Sequence, residues 1–481
     1  MSKKSIKLNY IYNVSYQILT LLTPLITTPY LSKILQADGI GKVSFVESIV
    51  SYFVLFAGLG TATLGQRDIS YVRDNKEKVS KVFWNVVSIR TVSTIACLIV
   101  YGIFIVIYRN NILMYLIMSI NIFAVMFDVV WLFQGIEEFA KIVGRNVVFK
   151  ILNVAGIFLF VKQKEDLMIY VILLVTMSIA CNISLWFYLP KYIHKPKKEY
   201  LQPGVYVKGA MSLFVPTIAI QIYTVLDKTM IGIFSTGDVQ NGYYEQSIRI
   251  SKMVLTLVTS LSAVMIPRIG FYLGQHDNEK VKLYMYKGYR FVWFLGIPLC
   301  LGLIGISDNM VPWFFGPGYD EVKILLKVLS LLIIAIGMSN ITGLQYMIPK
   351  KMQGEYTKTI FLGAFCNFVI NLILIPKFYA MGAAIASVVA ETVITIAQLV
   401  MIRKDLSIVH ILKQSGHYLV AGVVMLVVLA IENKIFTASI INTLIMIVTG
   451  GIVYFLLLLI LRDNFLKDNI DSVLGKLRRH K

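Results

Sequence analysis

The chain has 481 residues, 57% of them hydrophobic and 15% charged, with 46 Lys and Arg against 26 Asp and Glu for a net charge of +20. A soluble chain carries about 25% charged residues and about 45–50% apolar ones, so water is not the solvent for most of this surface, and the class is an all-α polytopic membrane protein. Nucleic acid is excluded as a partner, because the cations fall in short clusters between apolar runs and not on one soluble face.

The first segment opens on the basic Met1 to Lys7 and continues as an apolar run interrupted by Asn9, Asn13 and Gln17, without a small-residue cleavage site. It predicts a spanning helix and not a removed signal. A spanning helix needs about 20 mostly apolar residues, and fourteen runs meet that: 9–34, 43–66, 82–108, 112–136, 142–161, 167–190, 207–234, 242–267, 284–306, 322–348, 355–376, 380–402, 414–431 and 438–461. Pro24, Pro29 and Pro216 predict bends, since each removes a backbone donor. Cys97, Cys181, Cys300 and Cys366 lie singly in apolar runs, which supports neither a disulfide framework nor a metal site.

An even number of spans puts both termini on one side, and the positive-inside rule chooses it. Thirty of the 46 Lys and Arg fall on the N-terminus, alternate loops and C-terminus, so both termini are predicted cytoplasmic. No connection exceeds about 20 residues and no phosphate-binding glycine loop is present, which leaves no room for an ATPase. Residues 463–481 predict a basic amphipathic tail lying on the inner leaflet among membrane lipids.

Ala37-Asp38-Gly39-Ile40-Gly41 is echoed about 200 residues later by Gly237-Asp238-Val239-Gln240-Asn241-Gly242, and both precede an aromatic residue and a Glu-Ser-Ile or Glu-Gln-Ser-Ile run. Such weak internal similarity marks repeated transporter bundles. It predicts one six-helix bundle over 1–200, a second over 201–405, helices 13–14 over 406–462, and the tail.

Four further stretches stand out: Thr28-Pro29-Tyr30-Leu31-Ser32-Lys33-Ile34-Leu35 leading to Gly39 and Gly41; Leu226-Asp227-Lys228-Thr229-Met230-Ile231-Gly232 leading to Gly242-Tyr243-Tyr244; Gln345-Tyr346-Met347-Ile348-Pro349; and Asn371-Leu372-Ile373-Leu374-Ile375-Pro376 leading to Gly382. In these the chain resembles the Wzx-type polysaccharide or O-antigen flippases of the multidrug/oligosaccharidyl-lipid/polysaccharide (MOP) exporter superfamily. One departure is Gln36, where the family pattern usually has Gly, a hint of altered loop geometry. The resemblance implies two MATE-like six-helix bundles around a central cavity that opens to either side in turn. It implies a non-enzyme of the bacterial plasma membrane whose cargo is a polyprenyl-pyrophosphate-linked glycan, with polysaccharide polymerase machinery as a further partner and no cofactor.

A charge at the centre of a span costs roughly 2.5–3.5 kcal/mol on insertion scales, so it faces a cavity or a partner. Toward the cytoplasmic half lie Arg90, Asp128, Lys150 and Arg290; toward the outer half lie Glu47, Asp227, Lys228, Glu245, Arg249 and Lys252. Asn146, Lys150 and Asn153 recur at i, i+4, i+7 and so share one helix face, as a cavity wall would require. Glu245 and Arg249 are placed to pair along their own helix. Ion pairs that merely lock helices, Arg90 with Asp128 or Asp227 with Arg249, explain single residues equally well. Cations nevertheless outnumber acids within the spans, and a surplus implies an anionic cargo. With the resemblance, that anion is a pyrophosphate, and Arg90, Lys150 and Arg249, supported by Lys228, are the expected contacts in a cationic central cavity. Asp128 and Glu391 are the candidates for proton or sodium coupling, or else counter-ions.

Two transport alternatives remain, a lipid II flippase and a MATE-type multidrug or cation antiporter, the latter expected to show an acidic lumen. A membrane enzyme is disfavoured because His194, His276, His410, His417 and His480 all lie in or beside cytoplasmic segments.

Overall fold

The computed structural model describes residues 6–467, with side chains from residue 19 onward except at 215, 216, 219, 220, 222, 223 and 263. The predicted tail beyond 467 and the basic Lys3 and Lys4 lie outside the described residues. All regular structure among the described residues is helical, and the chain divides into two compact units, Met1–Gly242 and Tyr243–Lys481.

The first unit contains α1 (Ile6–Gly58), α2 (Thr61–Val72), α3 (Lys76–Tyr108), α4 (Ile112–Ala124), α5 (Val130–Gly135), α6 (Phe139–Phe160), α7 (Leu167–Ser184), α8 (Leu189–Tyr192) and α9 (Pro203–Phe234). The start of α3 shows how local sequence sets an end: Asn75 accepts from the Lys78 amide, and Glu77 in the first turn complements the helix dipole. α1 carries two of the predicted runs, separated at Gln36, whose backbone leaves the helix with φ 58 and ψ 176. A second interruption at Leu59 and Gly60, both at positive φ, hands the chain to α2.

Packing here rests on close fit more than on escape from water, since lipid is as apolar as the side chains. One buried cluster gathers Leu35, Val46, Tyr101, Tyr115, Ile122 and Val171. A second gathers Ile69, Phe83, Trp131, Phe133 and Leu185, with Phe83 stacked on Trp131 at 5.5 Å. Gly65 makes room for that indole, because a Cβ there would lie 2.4 Å from Trp131 Cε3. Outward, Ile99, Ile103, Val106 and Ile107 of α3 are all exposed, the face a bilayer would cover.

The two repeated motifs meet each other. A Cβ on Gly41 would lie 1.8 Å from the Asp238 carbonyl oxygen, and one on Gly242 would lie 2.0 Å from the Ala37 carbonyl oxygen. Each motif glycine lets its backbone touch the other motif's backbone. Close by, Tyr52, Thr229 and Ser48 form a hydroxyl chain at 3.1 and 3.0 Å between α1 and α9.

The second unit holds most of α10 (Val239–Thr259), then α11 (Ser262–Gly274), α12 (Asn278–Phe315), α13 (Asp320–Leu329), α14 (Leu332–Asn340), a π-helical stretch Ile341–Met347, α15 (Gln353–Met401), α16 (Ile408–Lys413), α17 (Gly416–Ile435) and α18 (Ile440–Ile460). α15 again carries two predicted runs, separated at Tyr379 with φ 47 and ψ −122.

Among the described residues ten helical stretches are long and apolar enough to cross a membrane, or eleven if α10 and α11, bent by 42°, count as one. Of the fourteen runs, α1 and α15 each bridge two across a break, and the run at 207–234 passes through six residues whose side chains are not described.

Candidate functional site

The site begins with a helix that fails to continue. Residues 112–136 read as one uninterrupted run, yet α4 stops at Ala124, Val125–Phe127 form a 3₁₀ turn, and Asp128 is extended with φ −73 and ψ 104 before α5 resumes at Val130. Carbonyls released by such a break inside an apolar chain must be satisfied by neighbours, and side chains from other helices or the next turn satisfy three of them. Asn182 Nδ2 donates to the Ala124 carbonyl at 3.2 Å, and Trp186 Nε1 to that of Phe127 at 2.8 Å. The Asp128 carbonyl accepts from Trp131 Nε1 at 3.0 Å and from Arg90 at 2.7 Å.

Arg90 also pairs with the Asp128 carboxylate, its second terminal nitrogen lying 3.1 Å from Oδ2, while the other oxygen accepts from the Val130 amide at 3.1 Å. The guanidinium side chain is only 5% exposed and the carboxylate 28%. Arg90 Nε is buried without a hydrogen-bond partner, so one donor of the fork is unspent.

A cavity of about 710 Å³ opens beside this pair, wholly within the first unit. Its polar lining is Glu47 and Ser51 of α1, Thr63 of α2, Arg90 of α3, Asn121 of α4, Asp128, Ser178 and Asn182 of α7, and Thr217 and Gln221 of α9; Val50, Val54, Met118 and Leu174 supply apolar wall. Irregular backbone at membrane depth is tolerated only where it is buried in protein or lines a wetted cavity, and the break at 125–129 borders this one. Its lining carries one cation, Arg90, and two acids, Glu47 and Asp128. This cavity is therefore amphoteric.

The remaining expected residues fall elsewhere. Asn146, Lys150 and Asn153 on α6 are not among the cavity-lining residues; they are half-buried, and Cys181 Sγ donates to Asn146 Oδ1 at 3.5 Å. Asp227, 4% exposed, and half-buried Lys228 lie on α9, and the Lys228 carbonyl accepts from Asn241 at 2.8 Å. In the second unit Arg249 pairs with Glu245 at 2.7 Å in the expected i, i+4 geometry. Glu391 is half-buried on α15. Asn367 and Asn371, both fully buried, bond to each other at 3.0 Å, and Gln398 donates to Thr359 at 3.2 Å, which ties the two parts of the broken α15.

Arg290 has a different neighbourhood from Arg90. Its guanidinium donates to Tyr418 at 2.9 Å and to Asp463 at 2.8 Å, and Tyr418 donates to the same carboxylate oxygen at 3.0 Å. The other Asp463 oxygen accepts from the Leu466 amide at 2.9 Å. Burial pushes the Asp463 carboxyl up, but the bonds from Arg290, Leu466 and Tyr418 outweigh it and hold it below the usual carboxylate range.

Residues that composition and periodicity did not single out include Asn121, Asn182, Thr217 and Gln221. Neutral amides and hydroxyls are common in spans as inter-helix links, so only the broken helix, invisible in a segment without Pro or Gly, marks them.

Comparison with known proteins agrees with this architecture. The chain is 24% identical over 417 residues to an Escherichia coli (strain K12) protein named for O-antigen transport, covering 84% of this chain and 98% of that one. It is 23% identical over 260 residues, 51% of this chain and 54% of the relative, to a Haloferax volcanii protein named for low-salt glycan biosynthesis flippase activity. Among solved structures it superposes on the lipid II flippase MurJ in an inward closed conformation with a TM-score of 0.73 at 17% identity, covering 95% and 99% of the two chains. It also superposes on an inward-facing multidrug resistance MATE family transporter of the MOP superfamily with a TM-score of 0.60 at 14% identity, covering 82% and 100%. At those identities the likeness concerns the fold alone. The polysaccharide biosynthesis protein family model matches residues 6–272, more than half of the chain, and the chain belongs to that family.

Proposed function

We propose that this protein is a flippase that carries polyprenyl-pyrophosphate-linked oligosaccharide repeat units from the cytoplasmic to the outer leaflet for polysaccharide synthesis, and that it is not an enzyme. The observation that carries the reading is Arg90: an almost buried guanidinium with an unspent donor, held at the wall of a cavity of mixed polar and apolar lining by the break in α4, in a chain of the polysaccharide biosynthesis family. We read the breaks at Gln36 and Tyr379 as points where the chain turns back. With α9 and the bent pair α10–α11 counted as one crossing each, that gives fourteen crossings with both termini in the cytoplasm of a bacterial plasma membrane.

The amphoteric lining bears on mechanism. An arriving pyrophosphate competes with the Asp128 carboxylate for the Arg90 fork, and bidentate geometry favours the phosphate oxygens. Protonation of Asp128, or capture of a sodium ion by it, removes the competitor and frees Arg90, so Asp128 couples ion uptake to anion binding; Glu391 is the corresponding candidate in the second unit. Lys150, Lys228 and Arg249 are further contacts for the anion as access alternates, with Asp227, Asn146 and Asn153 as polar supports. About 710 Å³ lies within the range of about 300–1,000 Å³ usual for small-ligand sites, so this cavity takes the head of the cargo and not its polyprenyl tail. The membrane potential suffices in sign: moving an anion outward from a negative cytoplasm releases about 2.3 kcal/mol per charge per 100 mV.

A lipid II flippase is the second reading, favoured by the MurJ superposition. Both are tested by loading proteoliposomes with either lipid-linked substrate on one leaflet and following its arrival on the other. Transport of the oligosaccharide repeat unit above protein-free vesicles is expected. Transport of lipid II alone sinks the first reading, and transport of neither sinks both.

A further inference from the structure

A second concavity, of about 490 Å³, lies in the second unit where the end of α15 meets the start of α12. Its charged lining is Lys282 from the first turns of α12 and Arg403, Lys404 and Asp405 from the segment after α15, so cations about 120 positions apart in sequence converge on one hollow. The single acid is already engaged: Lys350 donates to Asp405 at 2.6 Å and to the Tyr346 hydroxyl at 2.9 Å. Burial pushes the Lys350 ammonium down, but those bonds outweigh it and hold it above the ordinary lysine range, so Asp405 keeps its counter-charge. Lys282 has only a loose neighbour, with Glu279 at 3.5 Å on a side chain 88% exposed. Arg403 and Lys404 are exposed and make no ion pair among the described residues.

The hollow is also preformed. The Ser407 amide donates to the Tyr286 hydroxyl at 2.9 Å, and the Tyr286 ring meets His410 edge-on at 4.6 Å, which fixes the 403–410 segment against α12. Beside the cations stands an apolar lip, Val409 at 61% and Leu412 at 52% exposure, anchored by the fully buried Ile411. Topology asks only for positive charge somewhere near the ends of spans. It does not ask for convergence from two segments, a neutralised acid, or exposed apolar side chains at the rim.

We propose that this hollow is a binding site for the phosphate headgroup of an anionic membrane lipid, with Lys282, Arg403 and Lys404 on the phosphate and Val409 and Leu412 against the first part of the acyl chains. The lip selects a lipid over free phosphate, since an inorganic ion gains nothing from it. The assignment is independent of the flippase reading; only the leaflet, the cytoplasmic one, follows from the orientation proposed above.

The test uses the purified full-length protein in neutral detergent, titrated with phosphatidylglycerol, phosphatidylcholine or inorganic phosphate, with bound lipid counted by native mass spectrometry. Phosphatidylglycerol is expected to be retained in preference to phosphatidylcholine. The triple variant Lys282→Gln, Arg403→Gln, Lys404→Gln is expected to weaken that retention roughly hundredfold, at roughly fivefold for each cation near an anionic headgroup. Should the triple variant not fold, Arg403→Gln and Lys404→Gln singly carry the test at roughly fivefold each. The proposal is overturned if the two lipids bind alike, if the variants bind like the parent, or if inorganic phosphate displaces the lipid at equal concentration. It is equally overturned if Lys191→Gln, Lys195→Gln, Lys198→Gln, exposed lysines of the first unit, causes the same loss, because general surface charge then explains the binding.

Discussion

Each unit holds an arginine–aspartate pair that links separate segments of the chain, Arg90 with Asp128 and Arg290 with Asp463, and the two pairs are built on opposite plans. In the first, the arginine is sealed and the acid is open: Arg90 is 5% exposed, Asp128 is 28% exposed, and the acid lines a cavity. In the second the acid is sealed and the arginine is the more open member, with Arg290 at 28% and Asp463 at 2%. Satisfaction differs too. Both Asp463 oxygens are engaged, one by Arg290 and Tyr418 and the other by the Leu466 amide, and Phe465 lies over the Arg290 guanidinium at 5.5 Å. Arg90 keeps a buried Nε without a partner. A closed, fully bonded pair holds the end of α18 to α12 and α17. A pair with an unspent donor, both of whose residues line a cavity, is placed to exchange its partner.

The sharpest way to break that contrast is to remove each arginine's function separately. Arg90→Ala is expected to lower transport by about 30-fold to 5,000-fold, the range for truncating a buried, hydrogen-bonded charge at a binding site, as read by repeat-unit flipping in proteoliposomes at matched protein content. Arg90→Lys is expected to rescue only part of it, since an ammonium restores charge without the fork. Transport at the parental rate in Arg90→Ala would make the Arg90–Asp128 pair a mere brace for the α4 break.

For the second pair the expectation reverses, with a loss of stability and little loss of transport per folded molecule. Asp463→Ala leaves Arg290 and Tyr418 without their acceptor. Breaking a buried pair costs roughly 3–5 kcal/mol, and the partial exposure of Arg290 discounts that to about 2 kcal/mol through solvent screening. The thermal unfolding midpoint of the purified protein checks it. The pH dependence follows from sign: Asp463 is held below its ordinary value, so its contribution is complete above the unfolded carboxylate value near 4 and fades as pH falls through the lower folded value. The stability difference between parent and Asp463→Ala should therefore be constant from pH 6 to about 5 and shrink only in stronger acid. A difference that already shrinks near neutrality would show the carboxylate is not held down.

The two pairs also mark what could be seen without coordinates. Charges inside apolar runs are rare enough to be noticed, so Arg90, Asp128, Arg249 and Glu245 stand out in the sequence, and the i, i+4 spacing foretells the Arg249–Glu245 pair. Periodicity places Asn146, Lys150 and Asn153 on one face but carries no information on what that face meets, and the cavity lies elsewhere. The break that shapes the cavity falls in Phe-Ala-Val-Met-Phe-Asp-Val-Val-Trp, residues 123–131, with neither Pro nor Gly. It is stabilised by Asn182, Trp186 and Arg90 from other helices, so no local signal could foretell it. Repeated glycines were legible as a motif; that Gly41 and Gly242 allow the two motifs to touch required the fold.

The smallest expected effect concerns the breaks in α1 and α15, one in each unit. Gln36 sits at φ 58 and ψ 176, a region used essentially by glycine alone and costing other residues about 1–3 kcal/mol. Part of that is offset, because Lys164 donates to Gln36 Oε1 at 3.0 Å and pairs with Asp38 at 2.8 Å. The offset is small, as both charged side chains are more than 40% exposed and such pairs contribute about 0–1 kcal/mol. Gln36→Gly removes the strain, loses one exposed hydrogen bond, and adds about 0.5–1 kcal/mol of chain entropy to the unfolded state. The balance favours the variant by under about 1 kcal/mol, visible as a small rise in the unfolding midpoint, with the Lys164–Asp38 pair left in place. A fall instead would mean that the Gln36–Lys164 bond outweighs the backbone strain, and that the first unit's break is held by its side chain where the second unit's, at Tyr379, is held by backbone packing around Gly382, whose Cβ would lie 2.6 Å from the Leu374 carbonyl.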